Sequence, residues 1–76
     1  MPETLTVSGA ARELSQQLGR TVRPKDVTNL FYDRKVDEAI GPIVAGRRLI
    51  ARRRLHLLAE ALRELFRERE RTADGG

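Results

Sequence analysis

The densest group of chemically active side chains lies in the stretch VAGRRLIARRRL, residues 44–55, where five arginines fall within eight positions. A guanidinium group is permanently charged, and its planar fork of N–H donors fits phosphate and carboxylate oxygens. Residues 20–54 carry ten lysines and arginines against four acidic residues, a net charge of +6, whereas the rest of the chain carries −2. This concentration of positive charge in the middle of the chain indicates an anionic partner.

Residues suited to covalent or metal-assisted catalysis are scarce. The chain has no cysteine and one histidine, His56, which excludes thiol catalysis, disulfides and cysteine metal sites. The carboxylates that could be considered together as a cluster for Mg²⁺ are Asp33, Asp37 and Glu38, but no histidine and no second motif accompanies them. We therefore expect no enzymatic activity, no metal and no cofactor, and we interpret His56 as an ordinary polar side chain on a helix.

Length and hydropathy predict one small domain. Seventy-six residues lie near the lower limit for folding without disulfides or metal. The apolar runs are too short to cross a membrane, and the first ten residues lack the pattern of a signal peptide. We expect a cytoplasmic, nucleoid-associated protein without membrane contact. Its predicted parts are a lead-in over residues 1–6, a folded domain over 7–71 and a flexible tail over 72–76.

Two short helices are predicted in the first half of the chain. Ser8 is a favourable N-cap for a helix over residues 9–18, and Gly19 suits the left-handed position that ends it. Pro24 suits the first position of a second helix, since its missing N–H would be unpaired there anyway. This helix should end near residues 33–35. Two short helices joined by about four residues that include a glycine are typical of the helix-turn-helix motif.

The second helix has one apolar and one polar face. Val27, Leu30 and Phe31 follow helical spacing and are predicted to be buried. On the opposite face, the carboxamide of Asn29 can pair with adenine through two hydrogen bonds. The neighbouring polar residues would contact guanine or a phosphate (Lys25), a base or a phosphate (Thr28) and a phosphate oxygen (Tyr32). The alternative is that these four side chains are simply the solvent face of a short helix.

A β-hairpin and a long helix are predicted in the second half. Two short β-compatible runs separated by Ala45-Gly46 predict a hairpin over Ile43–Ile50. The third helix should extend from about Arg52 to about Arg71. The arginines at 52–54 oppose the dipole at the start of this helix and cost a few tenths of a kcal/mol each. Because residues that violate a local rule tend to mark function, we interpret this charge as phosphate-binding.

The leucines of the third helix are predicted mainly to form the core. We expect Leu62, Leu65 and Phe66 to lie further out, either covering the first helix or forming an exposed stripe. Such a stripe would serve a homo-oligomer or dock on a partner helix. The predicted core consists of Leu14, Leu18, Val27, Leu30, Phe31, Ile50, Leu55 and Leu58.

The order of these features resembles a known group of DNA-binding proteins. The stretches LTVSGAARELSQQLGRTVRPKDVTNLFYDRKVD and GPIVAGRRLIARRRLHLLAEAL, within residues 5–62, resemble the winged helix-turn-helix domains of MerR-type regulators and small excisionase-like proteins. The resemblance implies a recognition helix over Pro24–Tyr32, a wing that contains Ala45–Arg48, and a following helix packed underneath. Excisionase-type members bend DNA and direct a recombinase without doing chemistry. The chain lacks the long dimerisation helix and the cysteines of metal-sensing regulators.

These observations predict a mainly α fold with a small β-hairpin, a winged helix-turn-helix, that binds double-stranded DNA. The predicted role is an architectural factor or a small transcriptional regulator, with a recombinase or RNA polymerase as possible protein partner. The alternative is a protein-interaction adaptor that uses the exposed stripe of the third helix. The predicted DNA-binding residues are Arg23, Lys25, Thr28, Asn29, Tyr32, Arg34, Arg47, Arg48, Arg52 and Arg53.

Overall fold

Apolar side chains at helical spacing produce three helices. The computed structural model describes residues 3–75, and of residues 72–75 only the backbone. The helices are α1 (Val7–Leu18), α2 (Pro24–Tyr32) and α3 (Leu55–Gly75), and a small antiparallel hairpin lies between α2 and α3. The prediction of a mainly α fold with a small hairpin is confirmed at this level.

Helix α1 begins two residues earlier than predicted. Its N-cap is Thr6 rather than Ser8, and the Thr6 hydroxyl accepts a hydrogen bond of 3.1 Å from the Gly9 N–H. Threonine and serine both cap helices, so residue type alone did not decide between them. The preceding residue decides between them. Leu5 is buried and belongs to a strand, so the extended segment ends at Thr6 and the helix follows it. Gly19 ends α1 in the left-handed conformation, as predicted, with φ of 67°.

A partly buried hydroxyl, that of Ser15, fixes the turn between α1 and α2. The Ser15 oxygen accepts a hydrogen bond of 2.8 Å from the Val22 N–H. The same hydroxyl lies 2.9 Å from the carbonyl oxygen of Ala11, to which it donates. Val22 is buried, so its N–H would otherwise be removed from water without a partner. Ser15 therefore holds the residue that leads into α2 against the end of α1, a contact that the sequence did not predict.

The segment predicted as a lead-in contains a strand. Strand β1 (Thr4–Leu5) pairs antiparallel with β4 (Ile50–Ala51), and the Arg52 N–H extends the ladder with a 2.9 Å bond to the Glu3 carbonyl oxygen. Leu5 is buried beside Ile50. This pairing ties the beginning of the chain to the beginning of α3. Residues 1 and 2 lie outside the described residues.

The hairpin is shorter than predicted. Its strands are β2 (Ile43–Val44) and β3 (Arg47–Arg48), and Ile50 belongs to β4 instead. The turn is at Ala45-Gly46, as predicted, with positive φ at both residues (52° and 79°). A two-residue connection with positive φ at both positions is the type I′ arrangement, whose twist matches that of paired strands.

Helix α3 differs from the prediction at both ends. Residues Arg52–Arg54 form a single 3₁₀ turn, and the α-helix begins at Leu55. The helical backbone continues to Gly75, four residues beyond the predicted end at Arg71. The flexible tail predicted for 72–76 is therefore helical in its described backbone, and Gly76 lies outside the described residues.

Of the two alternatives for Leu62, Leu65 and Phe66, the default, in which they cover the first helix, is confirmed, and the exposed stripe is wrong. Leu62 has no exposed surface and Phe66 is 6% exposed, and both belong to the same core cluster as α1 and α2. The guanidinium carbon of Arg20, just after α1, lies 3.9 Å from the centre of the Phe66 ring. Leu65 is partly buried. The first helix and the turn after it thus cover the stripe, so the surface proposed for a homo-oligomer or for an adaptor is not available.

The rest of the predicted core is buried, except that Leu18 is only partly covered.

Substitution of Leu62 tests whether the stripe is core. Leu62→Ala should lower the free energy of unfolding by about 2–5 kcal/mol, because it leaves a cavity among fully buried side chains. Urea denaturation measures the loss. Leu65→Ala, at a partly buried position on the same helix, is the matched control and should cost less. Unchanged stability together with altered self-association in Leu62→Ala would instead indicate an interface.

The hairpin turn offers a stabilising substitution. Ala45 has φ of 52°, a conformation that is unfavourable for alanine and well tolerated by asparagine. Ala45→Asn should raise the free energy of unfolding by about 0.5–1 kcal/mol. Gly46→Ala is the opposing control: an added Cβ meets nothing within 4 Å, so any loss comes from the backbone alone. Urea denaturation and amide exchange of the hairpin measure both effects; equal stability of the two variants would contradict the prediction.

Candidate nucleic-acid interface

Helix α2 has the bounds that the resemblance implies for the recognition helix, Pro24–Tyr32. Pro24 occupies the first turn, and the Asp26 carboxylate accepts a hydrogen bond of 3.0 Å from the backbone N–H of Arg23. The carboxylate also lies near the positive end of the helix dipole. Val27, Leu30 and Phe31 are buried, as predicted, which fixes the rotation of the helix and so decides which side chains face outward.

The outward face of α2 is polar, and its side chains have no internal hydrogen-bond partner in the described part of the chain. Lys25, Thr28 and Tyr32 are exposed, and Asn29 is half-buried. Tyr32 is 83% exposed, which is unusual for an aromatic side chain in a small protein. Within residues 3–75, none of these four side chains forms a hydrogen bond or an ion pair. They are thus available to an external partner, whichever of the two interpretations of this face holds.

The arginine-rich stretch is divided by the fold into arginines with internal partners and arginines without them. Arg48 belongs to the first kind. One of its terminal nitrogens donates to the Gly41 carbonyl oxygen at 2.6 Å and to the Glu38 carboxylate at 3.0 Å. Its guanidinium carbon lies 4.2 Å from the centre of the Phe31 ring. Its side chain is 16% exposed. Arg48 therefore joins the hairpin to α2 and to the 3₁₀ turn Glu38–Ile40.

The entry into the hairpin is also packed closely on α2. A Cβ atom at Gly41 would lie 2.9 Å from the Phe31 ring and 2.9 Å from the Ile50 side chain. Only glycine fits at this position without displacing its neighbours. Together with the Arg48 contact, this packing sets the base of the hairpin beside the C-terminal end of α2.

Arg52 also has internal partners. Its terminal nitrogen lies 2.6 Å from a carboxylate oxygen of Glu13 on α1, and both side chains are about three-quarters buried (27% and 30% exposed). This ion pair, with the β1–β4 pairing, holds the start of α3 against α1. Two of the predicted DNA-binding residues, Arg48 and Arg52, thus have structural contacts.

Seven cations of the central basic segment remain exposed and have no ion pair among the residues that the structure describes. Since an unpaired surface charge is available to an external anion, these side chains are the central segment's candidates for contact with an anionic partner. We call them the basic set. They are Arg23, Lys25, Arg34, Lys35, Arg47, Arg53 and Arg54.

The hairpin combines charge with exposed apolar surface. In its register Val44 pairs with Arg47 and Ile43 with Arg48, and paired residues project from the same face. Ile43 and Val44 are 60% and 51% exposed. With Tyr32 they are the large hydrophobic residues that the described chain exposes most. Ile43 and Val44 lie on the hairpin, and Tyr32 lies at the adjacent end of α2.

Two acidic residues between α2 and the hairpin, Asp37 and Glu38, have internal partners. The Asp37 carboxylate accepts a hydrogen bond of 2.9 Å from the Ala39 N–H, and Glu38 pairs with Arg48. No group of three or more potential metal ligands occurs within the described part of the chain. His56 is exposed, and its Nδ1 atom lies 3.1 Å from the Arg53 carbonyl oxygen. Over the same residues, no helix is long and apolar enough to cross a lipid bilayer.

Comparison with known proteins adds no relative. No protein-family model, curated protein or solved structure matches this chain. The resemblance to winged helix-turn-helix proteins therefore depends on the residues and on their arrangement.

The two adjacent arginines of strand β3 provide a matched pair for testing the division of the arginines. Arg48→Ala should lower the free energy of unfolding by about 1–3 kcal/mol, because it leaves the carbonyl of buried Gly41 without its partner. Arg47→Ala should change it by less than about 0.5 kcal/mol, as expected of an exposed residue without contacts. Urea denaturation measures both. Equal losses for the two variants would contradict the assignment of Arg48 as the structural arginine.

Proposed function

We propose that this protein binds double-stranded DNA and does no chemistry on it, through a winged helix-turn-helix. In this proposal α1 and α2 are the helix-turn-helix, α2 enters the major groove, and the β2–β3 hairpin is the wing, on the phosphate backbone or in the minor groove. The observation that carries the proposal is the basic set: seven exposed cations, without ion pairs in the described part of the chain, lie on α2, on the hairpin and on the segments that flank them.

Each part of this surface has a distinct role in the proposal. Exposed cations such as Arg47 bind phosphates, which supply most of the affinity and fix the register of the protein on the duplex. Asn29 reads adenine in the major groove. Lys25 and Thr28 contact a base or a phosphate, and Tyr32 contacts a phosphate oxygen. Arg48 and Arg52 support the interface by holding its elements in place.

The proposal covers two cellular roles that share this duplex-binding surface. An excisionase-like architectural factor would act beside a recombinase, and a small regulator would act beside RNA polymerase. Both roles place the protein on the nucleoid. The buried Leu62 and Phe66 remove the support for an adaptor function through α3, so we propose no second function.

Salt dependence tests the phosphate contacts. Fluorescence anisotropy with a labelled duplex at several salt concentrations should give a linear log–log plot whose slope reports the number of phosphates neutralised. Arg47→Ala should make this slope shallower by about 0.9, because one phosphate contact is lost. Arg63→Ala, which removes one exposed arginine of α3 outside the basic set, is the matched control and should leave the slope unchanged.

Sequence preference tests the recognition helix. After selection of duplexes from a random pool, Asn29→Ala should lose about 1–3 kcal/mol of discrimination at one A·T position while retaining affinity for unrelated duplexes. Failure of the unaltered protein to form a saturable complex with any duplex would refute the proposed function. Equal effects of Arg47→Ala and Arg63→Ala would refute the assigned interface.

A further inference from the structure

We infer that the cleft beside the C-terminal end of α2 is a binding site for a phosphate oxyanion. The cleft is open to solvent and has a volume of about 620 Å³. It lies between the end of α2 and the 3₁₀ turn that Arg48 contacts. Its lining residues are Phe31, Arg34, Lys35, Val36, Asp37 and Glu38.

The charges in the cleft favour an anion. Arg34 and Lys35 are exposed members of the basic set and have no ion pair within residues 3–75. The two carboxylates are already engaged: Asp37 accepts the Ala39 N–H, and Glu38 pairs with Arg48. Arg48 balances Glu38, whereas Asp37 keeps its negative charge although it accepts the Ala39 N–H. Arg34 and Lys35 therefore leave a net charge of +1 at the cleft, three cations against two carboxylates. A guanidinium fork beside an ammonium group suits an anion with several oxygens and more than one charge, which describes phosphate.

The backbone at Arg34 is a second, independent observation. Its φ is 56°, a left-handed conformation in which glycine or asparagine would be more stable. The bonds that end α2 here use only main-chain atoms: the Arg34 N–H donates to Phe31 at 3.1 Å, and the Lys35 N–H donates to Leu30 at 2.8 Å. The helix end therefore does not need an arginine side chain. The arginine side chain at this left-handed position thus has no part in ending the helix and is exposed to an external anion.

Phosphate in this cleft has two possible sources, free inorganic phosphate and the backbone of a duplex. The second source rests on the proposed function, and the first does not. The two arms of the experiment separate them.

The first arm uses inorganic phosphate. Titration followed by amide NMR shifts should give saturable changes at Arg34 and Lys35, against sodium chloride at matched ionic strength. Arg34→Gly should weaken phosphate binding about tenfold or more, the loss expected for a hydrogen bond to a charged group. The same variant should raise Tm by roughly 4 °C, because it relieves the left-handed arginine. Lys35→Ala should weaken binding with little change in Tm, and Arg34→Lys should retain part of the binding.

The second arm uses a duplex. If the backbone is the source, Arg34→Gly should make the salt slope of duplex binding shallower by about 0.9, although the variant is more stable. Arg63→Ala is again the charge-matched control. An unchanged slope with intact phosphate binding would overturn the backbone as the source and leave free phosphate.

The outcomes distinguish the inference from the proposed function. If no duplex binds but inorganic phosphate still saturates the cleft, the proposed function fails and the site stands. If phosphate shifts are absent, or are unchanged in Arg34→Gly and Lys35→Ala, the site is overturned whether or not a duplex binds.

Discussion

The position of the hairpin depends on the contacts of one side chain, that of Arg48, together with the close packing at Gly41. A two-stranded hairpin is not stable alone in water and needs other elements behind it. Two of its four paired residues, Ile43 and Val44, are largely exposed, so the apolar surface that usually anchors a hairpin is missing. The Arg48 guanidinium supplies the anchor by contacting the Gly41 carbonyl, Glu38 and the Phe31 ring. Hairpin and α2 are thereby joined through a contact that is polar on one side and aromatic on the other.

The fold separates arginines that hold the structure from arginines that remain available. Arg48 and Arg52 are buried in part and face carboxylates, Glu38 and Glu13 respectively. The basic set is exposed and has no such partners among the described residues. Repulsion among unpaired cations opposes folding, and a small domain has little stability with which to offset it. A ligand that neutralises these charges would stabilise the folded state by an amount that rises with the logarithm of its concentration relative to its Kd.

Local features of the fold were predictable, because they depend on neighbours within a few residues. The start of α2 at Pro24, the left-handed Gly19 and the turn at Ala45-Gly46 are of this kind, whereas the end of α2 at Tyr32 comes one to three residues before the predicted end. Contacts between residues far apart in the sequence were not predictable. The ion pairs of Arg48 and Arg52 join residues 10 and 39 positions apart, and identical arginines in one short stretch give no sign of which will be paired. The burial of Leu62 and Phe66 likewise depends on how far α1 and the turn after it reach along α3.

The pairing of β1 with β4 also has a consequence for the order of folding. It joins residues near position 5 to residues near position 50 through only two residue pairs. Closing this long loop costs chain entropy, and the two pairs return only a small gain in free energy. The α1–α2 turn closes a far shorter one, since Ser15 and Val22 are seven positions apart. Contacts of short sequence separation form early, whereas distant ones are delayed by chain entropy. We therefore expect the α1–α2 pair to assemble before the first strand docks.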